Sequence, residues 1–484
     1  MSAVEASGLN GLAGRVAAGR YHAALVVVVA ATLLMVPAFW VGHINGHSSF
    51  LNVLWSEGFA RQLFAGELYP RWLPGMSHGA GSPVFYFYAP LPFYLAAPFH
   101  LIAGPRMAVV LGCWLMLALS GLSFFYLARA FVGVGAALVA AIVYMAMPYH
   151  LLADIWIRAA IGEQAAFIFA PLCLLCAYRL GEGAVYAFGL AASFAGLLLS
   201  HLPSALALSP FLVGFCLWTA WRGQPVIVLA RAAFAAVLAG GLAAAYVGPA
   251  LLLQGMIRPE RWSINLPENY FLLDGNTQPF MRFLDAYVIT MGAVVAVAAI
   301  VLPRVTRDRR TLSWSAIVFA VLFLSTSLSW WVWGLSPVLD LVQFPWRTLT
   351  FFELAACMLL ALALDSKLPR AQLLLRLMIV VIVVMAAKSI IGRGGLGQEP
   401  ALVFRSPAME DAMLAAGADA AEYVPSCRVP DPSDVTPDGA SHRIVEASLA
   451  KAADGVLPVF AVIHSSTFFS KISSGTAPES KTTS

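Results

Sequence analysis

The chain has 484 residues, 60% of them hydrophobic and 11% charged, with a mean hydropathy of +0.81. That composition excludes a soluble globular protein and points to a polytopic membrane protein. The net charge of +4 says little, because in a membrane the position of each Lys and Arg outweighs their sum. No Lys/Arg-rich block interleaves with aromatics, so nucleic acid is not a partner this sequence implies. Of the six cysteines only Cys173 and Cys176 form a CxxC. It lies in an apolar run without a nearby His, and reads as helix packing.

Residues 1–21 carry Arg15 and Arg20 and read as a cytoplasmic N-terminus. The apolar run that follows to Gly42 is too long for a signal-peptide core and shows no clear cleavage site, so it reads as an uncleaved first span. Spans need about 20 apolar residues each. They fall near 22–42, 107–128, 132–150, 165–181, 184–200, 204–221, 228–252, 286–303, 313–328, 347–364 and 371–391. The expected fold class is an all-α, polytopic helical membrane protein with about eleven transmembrane helices. Arg129, Arg179, Arg222, the cluster Arg304, Arg307, Arg309 and Arg310, and the pair Lys367 and Arg370 then all lie on the cytoplasmic side. This works only if 85–104 dips in or lies flat rather than crossing. The opposite face holds every long loop: 43–105, 150–164, 253–285, 329–346 and the tail from Gly392. Chemistry outside the cytoplasm is the natural inference. The membrane domain covers 22–391, a small, partly β periplasmic module 392–470, and a disordered tail 471–484.

The first outer loop is the most structured. Leu51, Trp55, Phe59 and Leu63 make a narrow apolar stripe, with Asn52, Ser56, Glu57 and Arg61 off it. Ser48 or Ser49 suits the cap and Gly66 a left-handed stop. A Gly-rich elbow (78–82) and an aromatic run follow. The pattern predicts an amphipathic helix lying on the bilayer and roofing a cavity.

Further outer-face residues are candidates for chemistry. Asp154, Arg158 and Glu163 share a short segment beside a new span. Asp154 and Arg158 are four apart, so a plain ion pair is one reading. Ionisable groups at a membrane boundary also line polar cavities. There a carboxylate pair can hold a divalent metal (Mg or Mn) or act as base, and an Arg can grip a phosphate. His201 in SHLPS is either a ligand or acid/base, or a helix-end group. The 253–285 loop carries Arg258, Glu260, Arg261, Trp262, Glu268, Tyr270 and Asp274, an ordinary solvated set that would also suit a polar acceptor. Trp330, Trp331 and Trp333 read as interfacial anchors. Gln343, Trp346 and Arg347 stand at an outer span mouth, where an Arg defies the positive-inside bias. It binds a lipid phosphate there, or pairs with Asp340 or Glu353. No P-loop, GxGxxG, HExxH or GxSxG occurs in a plausible context.

The run FARQLFAGELYPRWLPGMSHGAGSPVFYFYAPLPFYL, then DIWIRAAIGE, LLSHLP, QFPWR and EYVP occur in an order that resembles one family. It is the bacterial membrane proteins named for a 6-pyruvoyl-tetrahydropterin-synthase-related domain, grouped with GT-C-type polytopic glycosyltransferases. The resemblance covers most of 40–425, through motifs that are specific as a set and weak singly. It implies a bacterial inner-membrane enzyme moving a sugar, on the periplasmic face, from a polyprenyl-phosphate donor to an envelope glycan, lipid or protein. Asp154 and Glu163 would organise metal or catalysis, Arg158 and Arg347 would hold the donor phosphate, and Glu57 or His47 would be the base. Where relatives show an Asp and, four residues later, a His, this chain has Ser48 and Asn52. That substitution keeps two rivals open: a lipid-linked sugar transporter or flippase, for which Glu353 and Arg231 are the residues to watch, and a non-catalytic partner of envelope glycan assembly.

Overall fold

The structure is a computed structural model that describes residues 3–76, 81–256 and 270–366. The expected span 371–391, the modules 392–470 and 471–484, and the loop residues Arg258, Glu260, Arg261, Trp262 and Glu268 lie outside the described residues.

In hydrocarbon a helix satisfies its own backbone, so the long apolar runs fold as helices. The first is α1 (Ala3–Val41), spanning by its segment Tyr21–Val41. The first loop holds α2 (Ser49–Phe64), α3 (Val84–Phe87), α4 (Leu91–Ala96) and a 3-10 turn Ala97–Leu101. These last three are 4, 6 and 5 residues long, and none is long enough to cross. Then come α5 (Pro105–Arg129), α6 (Val134–Ala146), a π-helix (Tyr149–Arg158) and α7 (Ile161–Tyr178). Next are α8 (Val185–Leu198), α9 (Leu202–Arg222) and α10 (Pro225–Leu252). The last part holds α11 (Pro279–Tyr287), a π turn Val288–Gly292, α12 (Ala293–Thr306) and α13 (Arg309–Leu324). Two single-turn helices, α14 (Trp330–Trp333) and α15 (Pro337–Asp340), and a 3-10 turn Pro345–Thr348 lead into α16 (Leu349–Asp365).

Among the described residues eight helical segments are long and apolar enough to span a membrane, and the expected spans at 184–200 and 313–328 are the shorter helices α8 and α13. Among the described residues the β pairings are two isolated bridges, Leu73 with Ser82 and Leu272 with Thr326. The chain is a polytopic all-α membrane protein. Its ends sort onto two faces. On one, Arg310 donates to Phe131 O (3.0 Å) and Gly133 N–H to Asp365 Oδ1 (2.9 Å), gathering the loops after α5 and α12 with the end of α16. On the other, the first loop docks onto the end of the π-helix.

Two expectations change here. The segment after residue 150 is not a loop, because helix continues to Arg158 and restarts at Ile161. Helix α2 does turn Trp55 and Phe59 inward, and Gly66 takes the left-handed conformation (φ 103). Its off-stripe residues Asn52 and Ser56 are buried as well, each 1% exposed. Asn52 Nδ2 donates to Ala159 O (2.6 Å), and Ser56 Oγ meets His100 Nε2 (2.8 Å). So α2 is wedged between protein surfaces rather than floating on lipid with a polar face outward.

Backbone contact fixes that wedge. The His47 and Ser48 N–H groups donate to Ile157 O (2.8 Å) and Arg158 O (2.9 Å). A Cβ on Gly46 would stand 2.9 Å from Ala159 N and 3.1 Å from Ile157 O, atoms that cannot swing away. Gly46→Ala should therefore lower stability by about 1–3 kcal/mol. Gly135→Ala, whose Cβ meets nothing within 4 Å, should be neutral or slightly stabilising. Thermal denaturation in detergent distinguishes the two.

Candidate functional site

The site begins with a broken span. Pro148 disfavours the helical conformation in the residue before it. Met147 accordingly turns extended (φ −59, ψ 140) and α6 stops. Pro148, with its fixed φ of −62, starts a new helix whose first N–H groups have lost their intrahelical acceptors. Glu353, reaching across from α16, supplies them: Oε1 accepts Tyr149 N–H (2.7 Å) and Oε2 accepts His150 N–H (2.9 Å). Tyr287 O–H donates to the same carboxylate (2.8 Å). The restarted helix is a ten-residue π-helix, a geometry frequent at functional sites. It ends at Ala159, left-handed at φ 53, whose carbonyl Asn52 holds.

That π-helix aims Tyr149, Asp154 and Arg158 at α7. Arg158 Nη1 lies 2.5 Å from Asp154 Oδ1 and 2.7 Å from Glu163 Oε2, bridging the two carboxylates. Tyr149 O–H donates to Glu163 Oε1 (2.6 Å), and Thr350 adds a longer contact to the same oxygen (3.3 Å). Arg347 Nε stands 3.7 Å from Glu163 Oε2, while its Nη1 donates to Val342 O (2.9 Å) and Gln343 Oε1 (2.6 Å). The Trp346 ring lies under the Arg158 guanidinium, 4.9 Å away. Asp154 and Glu163 are fully buried at the side chain. Two acids and two guanidiniums thus balance, which is what lets them persist inside a membrane protein. One buried acceptor, Asp154 Oδ2, has no hydrogen-bond partner.

The structure therefore gathers Asp154, Arg158, Glu163, Arg347, Trp346 and Gln343. Arg347 faces Glu163, while Glu353 serves as a helix cap. His201 caps α9: Nδ1 accepts Ser204 N–H (3.3 Å) and lies 2.8 Å from Ser204 Oγ. It sits beside the cluster, close enough to feel Arg347, Glu163 and Arg158. His47 is docked through its backbone, its ring exposed with Nδ1 3.4 Å from Ser48 Oγ. Glu57 is elsewhere. It lies roughly 140° around α2 from Asn52 and pairs with Arg61 at 2.7 Å on an accessible face. Sequence reasoning missed Tyr149, Thr350 and Asn52 as partners. The Pro148–Tyr149 step was the available signal for the first, and nothing local marked the others.

Arg158 Nη1 stands between the Asp154 and Glu163 carboxylates that the sequence offered as holders of a divalent metal. Among the described residues no group of three His, Cys, Asp or Glu side chains converges as ligands.

Residues 85–392 match the model of the 6-pyruvoyl-tetrahydropterin synthase related domain, a membrane protein family. The chain belongs to this family. No curated protein matches it. Among solved structures, the crystal structure of ArnT from Cupriavidus metallidurans bound to undecaprenyl phosphate is similar at 14% identity. That match covers 84% of this chain and 76% of that one, with a TM-score of 0.46. In this family member the matched region contains every residue of the buried cluster.

Two predictions test the cluster. Removing the shared cation strands two buried carboxylates, so Arg158→Met should cost about 3–5 kcal/mol. Arg347→Met should cost less, since Arg347 makes the longer contact; equal melting shifts would contradict the bridging role. The His201 imidazole is pushed down to about 3, chiefly by burial, with Arg347 adding to it and Glu163 opposing it. A histidine neutral when folded and of ordinary pKa 6.5 when unfolded gives stability that is full above pH 6.5 and lost as pH falls toward 3. His201→Asn keeps a good cap and should flatten that loss between about pH 7 and 5, by at most about 2 kcal/mol. Melting curves of both proteins across that range measure it.

Proposed function

We propose that this protein is a glycosyltransferase of the bacterial inner membrane. It moves a sugar, on the non-cytoplasmic face, from a polyprenyl-phosphate donor to a hydroxyl of an envelope glycan, lipid or protein. The observation that carries the reading is the buried cluster itself: two guanidiniums around one carboxylate, beside an acid whose second oxygen has no hydrogen-bond partner. Arg158 and Arg347 suit a phosphate head, and Glu163 orients both. Asp154 Oδ2 is the proton acceptor. As the acceptor hydroxyl attacks the anomeric carbon, the bond from that carbon to the donor phosphate breaks and the hydroxyl proton passes to Asp154. The phosphate leaves as an anion, so one base and fixed positive charge suffice. Here the fixed charge is a guanidinium rather than a metal. Sidedness follows the arginines: Arg129, Arg179, Arg222, Arg304 and Arg310 collect at the helix ends away from the cluster, as the positive-inside bias requires. The family resemblance of the motifs supports the donor class.

A second reading is a non-catalytic partner, or a carrier, of lipid-linked glycan. It is favoured by Ser48 standing where relatives have an acid, and by the narrowness of the cavity between the first loop, α5 and Ala159. That cavity holds about 10 Å³, room for one water.

Membranes supplied with polyprenyl-phosphate sugars decide between the two. At equal protein level Asp154→Asn should lose about a hundredfold or more in transfer. Glu57→Gln should be unaffected, and a chelator should leave the rate unchanged. A loss with His47→Ala instead would move the base to the first loop. If wild type transfers nothing while a deletion strain lacks a glycan, the second reading stands.

A further inference from the structure

Away from the cluster, α8 and α10 pack on each other, and α9 does not close fully on that pair. A cavity of about 400 Å³ remains between them. On α9 its wall is Ser209, Leu212, Val213, Cys216 and Leu217, a stripe at helical spacing that runs down one side of the helix. On α10 the facing positions are largely alanines, among them Ala232 and Ala236, and their short side chains leave the space unfilled. Even the Ser209 hydroxyl is turned away, donating to Ala205 O (2.7 Å). Water entering would find no partner there, whereas hydrocarbon would fit. A cavity of about 150 Å³ takes one benzene, so this one has room for roughly three isoprene units.

The cavity's place relative to the cluster says which hydrocarbon fits. Helix α9 starts at His201, against Gly162 next to Glu163, and packs on the 3-10 turn that carries Arg347. At ~1.5 Å per residue, Ser209 lies about 12 Å down the helix and Leu217 about 24 Å. A leaflet of a bilayer with a ~30 Å hydrocarbon core is only about 15 Å deep. The cleft thus lies mostly beyond the midplane as measured from the cluster. The lining residues of α10 agree, because they belong to the half of that helix joined to the far end of α9. An ordinary acyl chain whose head sits at the cluster reaches only the near end of this cleft, at the level of Ser209. A polyprenyl chain reaches the rest of it.

We infer that the cleft between α8, α9 and α10 holds the distal isoprenoid units of a lipid whose phosphate head lies at Arg158 and Arg347. The inference rests on the donor class proposed above for the head, while the cleft itself is a separate site. Its consequence is selection by chain length. A long polyprenyl phosphate gains the cleft, and a short one is bound by its head alone.

The test uses the full-length protein in phosphatidylglycerol-containing liposomes. Three diazirine-tipped probes are compared: a long polyprenyl phosphate, the matching neutral polyprenol and geranyl phosphate. Cross-links are mapped, and binding is measured for wild type, for Ala232→Phe with Ala236→Phe, and for Val237→Phe. Val237 is 78% exposed on the same helix but outside the lining. The long probe should label residues of the cleft. Filling the cleft should weaken its binding about tenfold, while geranyl phosphate binding and the Val237→Phe protein stay unchanged. Labelling spread evenly over bilayer-facing positions, or labelling erased by excess phosphatidylglycerol, would overturn the inference and leave an annular lipid in its place. So would unchanged long-chain binding in the filled variant. If polyprenol labels the cleft as well as its phosphate does, the chain site stands and the reading of the head site as phosphate-binding fails.

Discussion

The contact on which this site depends is one guanidinium shared by two buried carboxylates. Arg158 reaches Asp154 from four residues away on the same helix, and Glu163 across the turn into α7. Either carboxylate alone inside a membrane bundle would be costly, and so would the arginine. Together with Arg347 they approach neutrality. The helical segments that carry them can therefore pack as tightly as apolar ones, with Asp154 and Glu163 nearly inaccessible.

This contact needs a particular backbone, and the backbone needs help from elsewhere in the chain. A span broken at Pro148 leaves amide groups with no acceptor of their own, in a place where water is scarce. Glu353 closes that gap from α16. At the other end Asn52 secures the left-handed Ala159, and the His47 and Ser48 amides secure Ile157 and Arg158. The first loop thus works as a clamp on the end of the π-helix. Ser48 serves that structural task through its backbone amide, and in the proposed reading the base lies one layer deeper, at Asp154.

A guanidinium between two acids also changes what the site asks of its surroundings. The positive charge is covalently part of the chain and needs no ion from solution. In the proposed reading its planar fork is also what a donor phosphate would meet. Trp346 under Arg158, and Gln343 in its left-handed conformation (φ 69) holding Arg347, keep both forks in place.

How much of this the sequence determined by itself can be traced residue by residue. Apolar runs of bilayer length made the all-helical membrane fold legible, because that signal is a sum over about 20 residues and tolerates local error. The isolated charges Asp154, Arg158, Glu163 and Arg347 were legible for the same reason, since an ionisable group in such surroundings needs a partner. What the sequence could not show was which partner. Arg347 is nearly two hundred residues from Glu163, and Asn52 more than a hundred from Ala159. Glu353 could be read as an ion-pair partner or a transport residue, and nothing local marked it as a cap. Only packing chooses among these, because a hydrogen bond depends on distances within a few tenths of an ångström, and local spacing carries no such information between spans. The same holds for α2. Its stripe predicted one buried face, but Asn52 and Ser56 are buried too, because tertiary structure surrounds that helix with protein instead of lipid on one side and water on the other.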